Sequence, residues 1–255
     1  MALLSCHIYS SALKMGTGVH VILPLDMDSC CKIPLRTVYL LHGLTDDYTC
    51  WLRRSNIESY ALAHGFAVVM PEVQRSFYTD MASGMAYFTY ISKELPDLCE
   101  KMFPLSQCRE DRFVAGLSMG GHGALKCALT YPELYAACGA FSSAVDIRQL
   151  FAQPENSVLS GEFSAIYGES ISDKEDVFRL AEQAVQAGGP LPKLFLSCGT
   201  QDFLYENNER FYQHLVKLGY TVQGYEAQAG HEWPFWDESV KRALAFFDSS
   251  MEGRM

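Results

Sequence analysis

Apolar runs rich in β-branched and aromatic residues alternate with segments apolar at helical spacing through most of the chain. Thr37–Leu41 reads as a buried strand. Trp51–His64 reads as a helix with Ile57, Tyr60 and Ala61 on one face and Gly65 as its stop. Phe66–Val73 is a second strand. Tyr87–Phe103 is helical, with Pro96 either kinking it or marking a fresh start. Arg112–Leu117 is a third strand, Gly120–Tyr131 a helix, Ala136–Phe141 a fourth strand and Lys193–Cys198 a fifth. Asn207–Leu218 turns Phe211, Leu215 and Leu218 inward and ends before Gly219. Thr221–Ala227 is a sixth strand, and Glu238–Phe247 closes the chain as a helix.

This alternation predicts an α/β fold, a mostly parallel sheet with helices on both faces. Val19–Leu25 adds an antiparallel edge. Residues from about 145 to 190 break the rhythm. They are polar, carry Gly188-Gly189-Pro190, and read as a small cap insertion over the sheet. With no repeat, low-complexity tract or long linker, residues 1–255 are expected to form a single domain.

Composition narrows the function. The net charge of −10 argues against a nucleic-acid partner. No apolar run approaches a membrane span, and the first residues lack the basic start and long apolar core of an export signal. Nine cysteines form no C-x-x-C pair, and Cys30 and Cys31 are adjacent. Reduced, mostly buried thiols in a cytoplasmic protein are expected, with no metal and no cofactor. The composition is compatible with a homo-oligomer.

The strongest chemical signal is Gly116-Leu117-Ser118-Met119-Gly120. G-x-S-x-G alone is weak, and could be a Gly-rich helix start. Here it follows a strand directly and opens a helix, the setting of a nucleophile elbow that exposes a serine hydroxyl at the sheet edge. A serine hydroxyl needs a base. His122 is too close along the chain and His214 lies mid-helix, whereas His231 follows the sixth strand on a loop. Asp202, just after the fifth strand, is the acid favoured to orient His231; Asp146, after the fourth, is its rival. Either aspartate could simply be a turn or cap residue. The backbone N–H groups of Met119 and Leu44 are the candidate oxyanion donors. His42 is read as support for the Leu44 loop. Of the aromatics Trp51, Phe77, Tyr78, Trp233 and Trp236 expected near this edge, Trp233 and Tyr78 are the candidate substrate-pocket residues.

Together, Leu40–Leu44 (LLHGL), Ala115–Leu125 (AGLSMGGHGAL), Gly199–Tyr205 (GTQDFLY) and Gly230–Asp237 (GHEWPFWD) resemble the esterase D-like family of α/β-hydrolases, and within it the small bacterial tributyrin esterases. The resemblance runs from about Cys6 to Phe247. It implies an α/β-hydrolase fold and cofactor-free carboxylesterase activity on short-chain acyl esters of small molecules. It also implies a Ser118–Asp202–His231 triad with donors at Leu44 and Met119. Acetyl or similar esters on carbohydrates are the favoured substrates. The same family includes S-formylglutathione hydrolases and feruloyl esterases, which remain alternatives, as does an inactive hydrolase-fold binding module. S-formylglutathione hydrolases usually carry a cysteine after the oxyanion segment, where this chain has Asp46.

A serine mechanism predicts indifference to metal removal. Dialysis against a strong chelator should leave ester hydrolysis unchanged. A loss restored by one particular divalent ion would overturn it.

Overall fold

The computed structural model describes residues 1–25, 33–152 and 161–249. Cys30, Cys31 and part of the expected cap insertion lie outside the described residues. Eight strands form one sheet in the order β1-β2-β4-β3-β5-β6-β7-β8. They are β1 (Ala2–Ser10), β2 (Met15–Leu23), β3 (Arg36–Leu41), β4 (Phe66–Pro71), β5 (Arg112–Leu117), β6 (Ala137–Phe141), β7 (Lys193–Gly199) and β8 (Val222–Ala227). From β4 to β8 every pairing is parallel, while β1 and β2 add an antiparallel end.

The central strands β4 and β5 are buried at every position. That is why they read as continuous apolar runs: helices cover both faces. On one face Tyr39, Val69 and Val114 pack with Leu125, Leu180 and Phe211 from three helices. On the other, Val38, Val68 and Phe113 pack with Ile57, Val240 and Phe247. Each such side chain contributes about 1.5–3 kcal/mol by leaving water.

Several elements depart from the pattern-based expectation, each for a local reason. The helix expected over Trp51–His64 is two helices, Cys50–Arg54 and Ile57–His64. Ser55 between them is extended, and the Asn56 N–H donates to Asp237 at 2.8 Å instead of continuing a helical ladder. Gly65 ends the second with φ 66°, a left-handed value that glycine adopts without steric cost. Near Pro96 the chain makes a π turn over Tyr90–Glu94 and restarts as Leu95–Met102. The missing proline N–H then costs no helical hydrogen bond. The last helix begins at Trp233, earlier than expected. Strand β1 was not expected. Its residues alternate between half-buried and exposed, so it lacks the apolar signature of the core strands.

The segment after β6 contains the helices Ile147–Ala152, Phe163–Tyr167 and Val177–Gln186 among its described residues. Val177 and Leu180 join the core beneath the helix Met119–Thr130, so this part belongs to a helical layer. A buried ion pair fastens it: the Lys126 ammonium, 1% exposed, pairs with Glu175 and donates to the Tyr78 carbonyl at 3.0 Å. Burial pushes the Lys126 pKa down, and Glu175 opposes that shift.

The tightest packing surrounds the β5 turn. A Cβ on Gly120 would sit 2.5 Å from the Leu41 carbonyl oxygen and 2.6 Å from that of His42. Neither neighbour is a flexible side-chain end. Gly120→Ala should therefore cost about 1–3 kcal/mol, as overpacking does, and lower the thermal midpoint followed by circular dichroism. An unchanged midpoint would contradict this packing.

Candidate active site

The parallel strands all deliver their C-terminal ends to one edge, where loops from different strands meet. Ser118 follows β5 directly. Its backbone has φ 52° and ψ −115°, unusual for a non-glycine residue. The turn is held by hydrogen bonds from Ser118 N–H to Phe141 O (2.8 Å), and from the His122 and Ala144 N–H groups to Ser118 O (3.1 and 3.2 Å).

His231 lies on the loop after β8, and Asp202 on the loop after β7. Ser118 Oγ is 3.0 Å from His231 Nε2, and His231 Nδ1 is 2.8 Å from Asp202 Oδ2. The partners assign the roles: the hydroxyl donates to Nε2, and the Nδ1–H donates to the carboxylate. Asp202 also accepts from the Leu204 N–H at 2.9 Å. Its side chain is fully buried, while that of His231 is 22% exposed. Burial alone would raise the Asp202 pKa. The His231 hydrogen bond and charge, helped by Leu204 and Ser142, outweigh burial and hold it below the ordinary carboxylate value. The two loops are packed backbone to backbone: a Cβ on Gly199 would come within 2.2 Å of the Ala229 oxygen. Gln201 N–H also donates to Ala229 O at 3.0 Å.

Asp146 stands elsewhere. Its Oδ1 accepts from the Gln149 N–H at 2.9 Å as a helix cap, and its Oδ2 pairs with Arg210. His122 is completely buried, and burial with the nearby Lys126 lowers its pKa to about 3. It packs 6.4 Å from the Phe77 ring, behind the turn.

Ser118 and His231 open into a cleft of about 630 Å³ whose wall includes Leu44, Asp46, Arg54, Phe203 and Trp233. Met119 is the first residue of its helix, a position whose N–H has no intrahelical acceptor. Leu44 follows β3 and lines the same cleft. His42 supports that loop: its Nδ1 is 2.8 Å from Gly43 O, and its Nε2 accepts from the Val73 N–H at 3.1 Å. The Asp46 carboxyl, half-buried, is raised by desolvation against the pull of His42 and Arg54.

Trp233 lies on the cleft wall, but the expectation for Tyr78 is corrected. Tyr78 is 0% exposed, its ring fills the space a Gly123 Cβ would occupy, and its hydroxyl donates to His42 O at 2.9 Å. It is a buried prop for the loop after β3. Trp51 and Phe77 are likewise core residues. Two residues were overlooked. Phe203, 69% exposed, places its ring 4.8 Å from His231; adjacency to Asp202 was the available signal. Ser142, at the end of β6, carries φ 44° and accepts from Trp236 Nε1 at 3.1 Å. Nothing in its sequence context marks it.

The fold and the site define a serine hydrolase of the α/β type. The chain belongs to the family described as "putative esterase", whose model matches residues 10–247, and it is a serine carboxylesterase. It is 32% identical over 258 residues to an acetyl esterase of Caldicellulosiruptor saccharolyticus, covering 96% of this chain and 97% of that protein. Fluorophosphonate-binding serine hydrolase F of Staphylococcus aureus, solved with substrate bound, superposes with a TM-score of 0.89 at 36% identity, covering 97% of this chain and 98% of that one. The S-formylglutathione hydrolase of the same organism superposes with a TM-score of 0.84 at 35% identity, with the same coverage. Among the described residues, no helix is long and apolar enough to cross a membrane.

The two aspartates can be separated by experiment. Asn at the residue that orients His231 would keep the shape, lose the charge and favour the wrong tautomer, a change costing on the order of 10⁴ in the best-studied serine protease. Asp202→Asn should lose at least about 10² in kcat, and Asp146→Asn should stay within a few-fold of wild type. The reverse ranking in two folded variants would move the acid to the β6 loop.

Proposed function

We propose that Ser118 is the nucleophile, His231 its base and Asp202 the residue that orients the base, and that the substrates are short-chain acyl esters of polar alcohols, acetyl esters on carbohydrates among them. The observation that carries this reading is the continuous hydrogen-bonded chain from the Ser118 hydroxyl through His231 to Asp202, at the mouth of the cleft. His231 takes the hydroxyl proton as Ser118 attacks the ester carbonyl, and Asp202 stabilises the imidazolium. The Met119 and Leu44 N–H groups receive the developing oxyanion. His231 then returns the proton to the departing alcohol, and water repeats the sequence on the acyl-enzyme.

The acyl preference rests on the two indoles that stand beside His231. Trp233 and Trp236, packed at 5.4 Å, stand on the cleft wall beside His231 and favour small groups. In such a pocket each added methylene must find room. Exposed Phe203, with Asp46 and Arg54, gives the open side both an apolar face and charged partners, suited to a polyhydroxylated leaving group. The acetyl esterase relative supports the acetyl reading. A thioester of glutathione is the second reading, favoured by the Staphylococcus aureus S-formylglutathione hydrolase neighbour.

Ser118→Ala should abolish ester hydrolysis while the protein stays folded, because loss of a triad member removes several orders of magnitude in kcat. Wild-type turnover by the folded variant would sink the mechanism. A p-nitrophenyl ester series assayed beside acetylated sugars and S-formylglutathione tests the substrate. kcat/KM should be highest for acetate to butyrate; a maximum at decanoate, or a strong preference for the thioester, would contradict the first reading.

A further inference from the structure

The loop after β6 contributes no residue to the proposed reaction, yet it carries a strained serine just behind the cleft wall, bonded to Trp236. Ser142 has φ 44°, a left-handed value disfavoured for a residue with a side chain. Its N–H donates to Ser197 O at 2.7 Å, extending the β6–β7 ladder, and the residue is completely buried. The Trp236 indole N–H donates to Ser142 Oγ at 3.1 Å in a buried contact. The same hydroxyl lies near the Asp202 carboxylate, whose pKa it helps hold down, and near the Cys198 thiol. Trp236 itself stands at 84° to the His231 ring, with centroids 4.8 Å apart. The next residue, Ser143, is pinned through both backbone groups by Asn208, so the loop has little freedom.

We propose that Ser142 and Trp236 are a positioning pair for His231. The indole packs edge to face against the imidazole, and Ser142 Oγ, by accepting the indole N–H, holds the indole in that position. This rests on the reading of Ser118, His231 and Asp202 as the triad. It accounts for the strain at Ser142: such conformations persist where the surrounding structure imposes them for a purpose. It also gives the early start of the last helix a role, because the first turns of Trp233–Ser249 carry Trp236 to the base.

Ser142→Gly separates positioning from backbone relief. Glycine adopts this φ without strain, so a merely structural serine could be replaced with no loss of turnover. The positioning role predicts a kcat about fivefold lower, the scale of one neutral hydrogen bond, with KM within about twofold. Ser142→Ala should match it. Trp236→Phe keeps an aromatic ring beside His231 but removes the N–H, and should lower kcat in the same direction. Adding Trp236→Phe to Ser142→Gly should cost less than its effect alone, since both act through one contact. Proton NMR should show the His231 Nδ1–H signal broadened in Ser142→Gly. Wild-type kcat and an unchanged signal in folded Ser142→Gly would overturn the pair. If Ser118→Ala is inactive in the same series, only the positioning role falls; if it is active, the triad falls and this inference with it.

Discussion

Ser118 is held in a backbone conformation that the isolated chain would avoid, at φ 52°. Conformations of this kind cost about 1–3 kcal/mol. The cost is borne by close backbone contact. Gly116 and Gly120 bring the turn against itself and against the end of β3, where any side chain would collide with a carbonyl. Hydrogen bonds to Phe141, His122 and Ala144 complete the restraint. Everything at the site follows from it. Ser118 opens into the cleft, the helix after it starts at Met119, and Leu44 of the loop after β3 lines the same cleft.

The pairing of Asp202 with His231 depends on a second close approach. Gly199 lets the loops after β7 and β8 touch, so Asp202 and His231 are set by each other's backbone as well as by their own hydrogen bond. Full burial of the Asp202 side chain would be unfavourable for an isolated carboxylate. It is tolerated because the hydrogen bonds around it stabilise the charged form more than burial opposes it. The same logic explains Lys126, a charge buried within the helix after Ser118 and satisfied by Glu175 and the Tyr78 carbonyl.

Most core strands were legible because a strand covered on both faces is largely apolar, and β4 and β5 are buried at every position. Strand β1 was not, because an edge strand half in solvent has no such run. The break at Ser55 and Asn56 was not, because its cause is Asp237, far along the chain. Tyr78 was misplaced for a related reason. Its position after β4 put it near the right edge, but only the packing of Gly123 and the His42 carbonyl turned the ring inward.

The sequence by itself determined the order of elements, the Gly-flanked turn at Ser118, and the candidates Asp202 and His231 at strand ends. These are local properties, carried by periodicity and by glycine placed where a side chain would collide. The tertiary structure decided how the pieces meet. It joined Asp202 to His231 and made Asp146 a helix cap. It buried Tyr78, left Trp233 on the cleft wall, and set Trp236 beside His231 with its N–H on Ser142. Such contacts join residues distant along the chain, and a side chain's direction there is fixed only when its partners are packed against it.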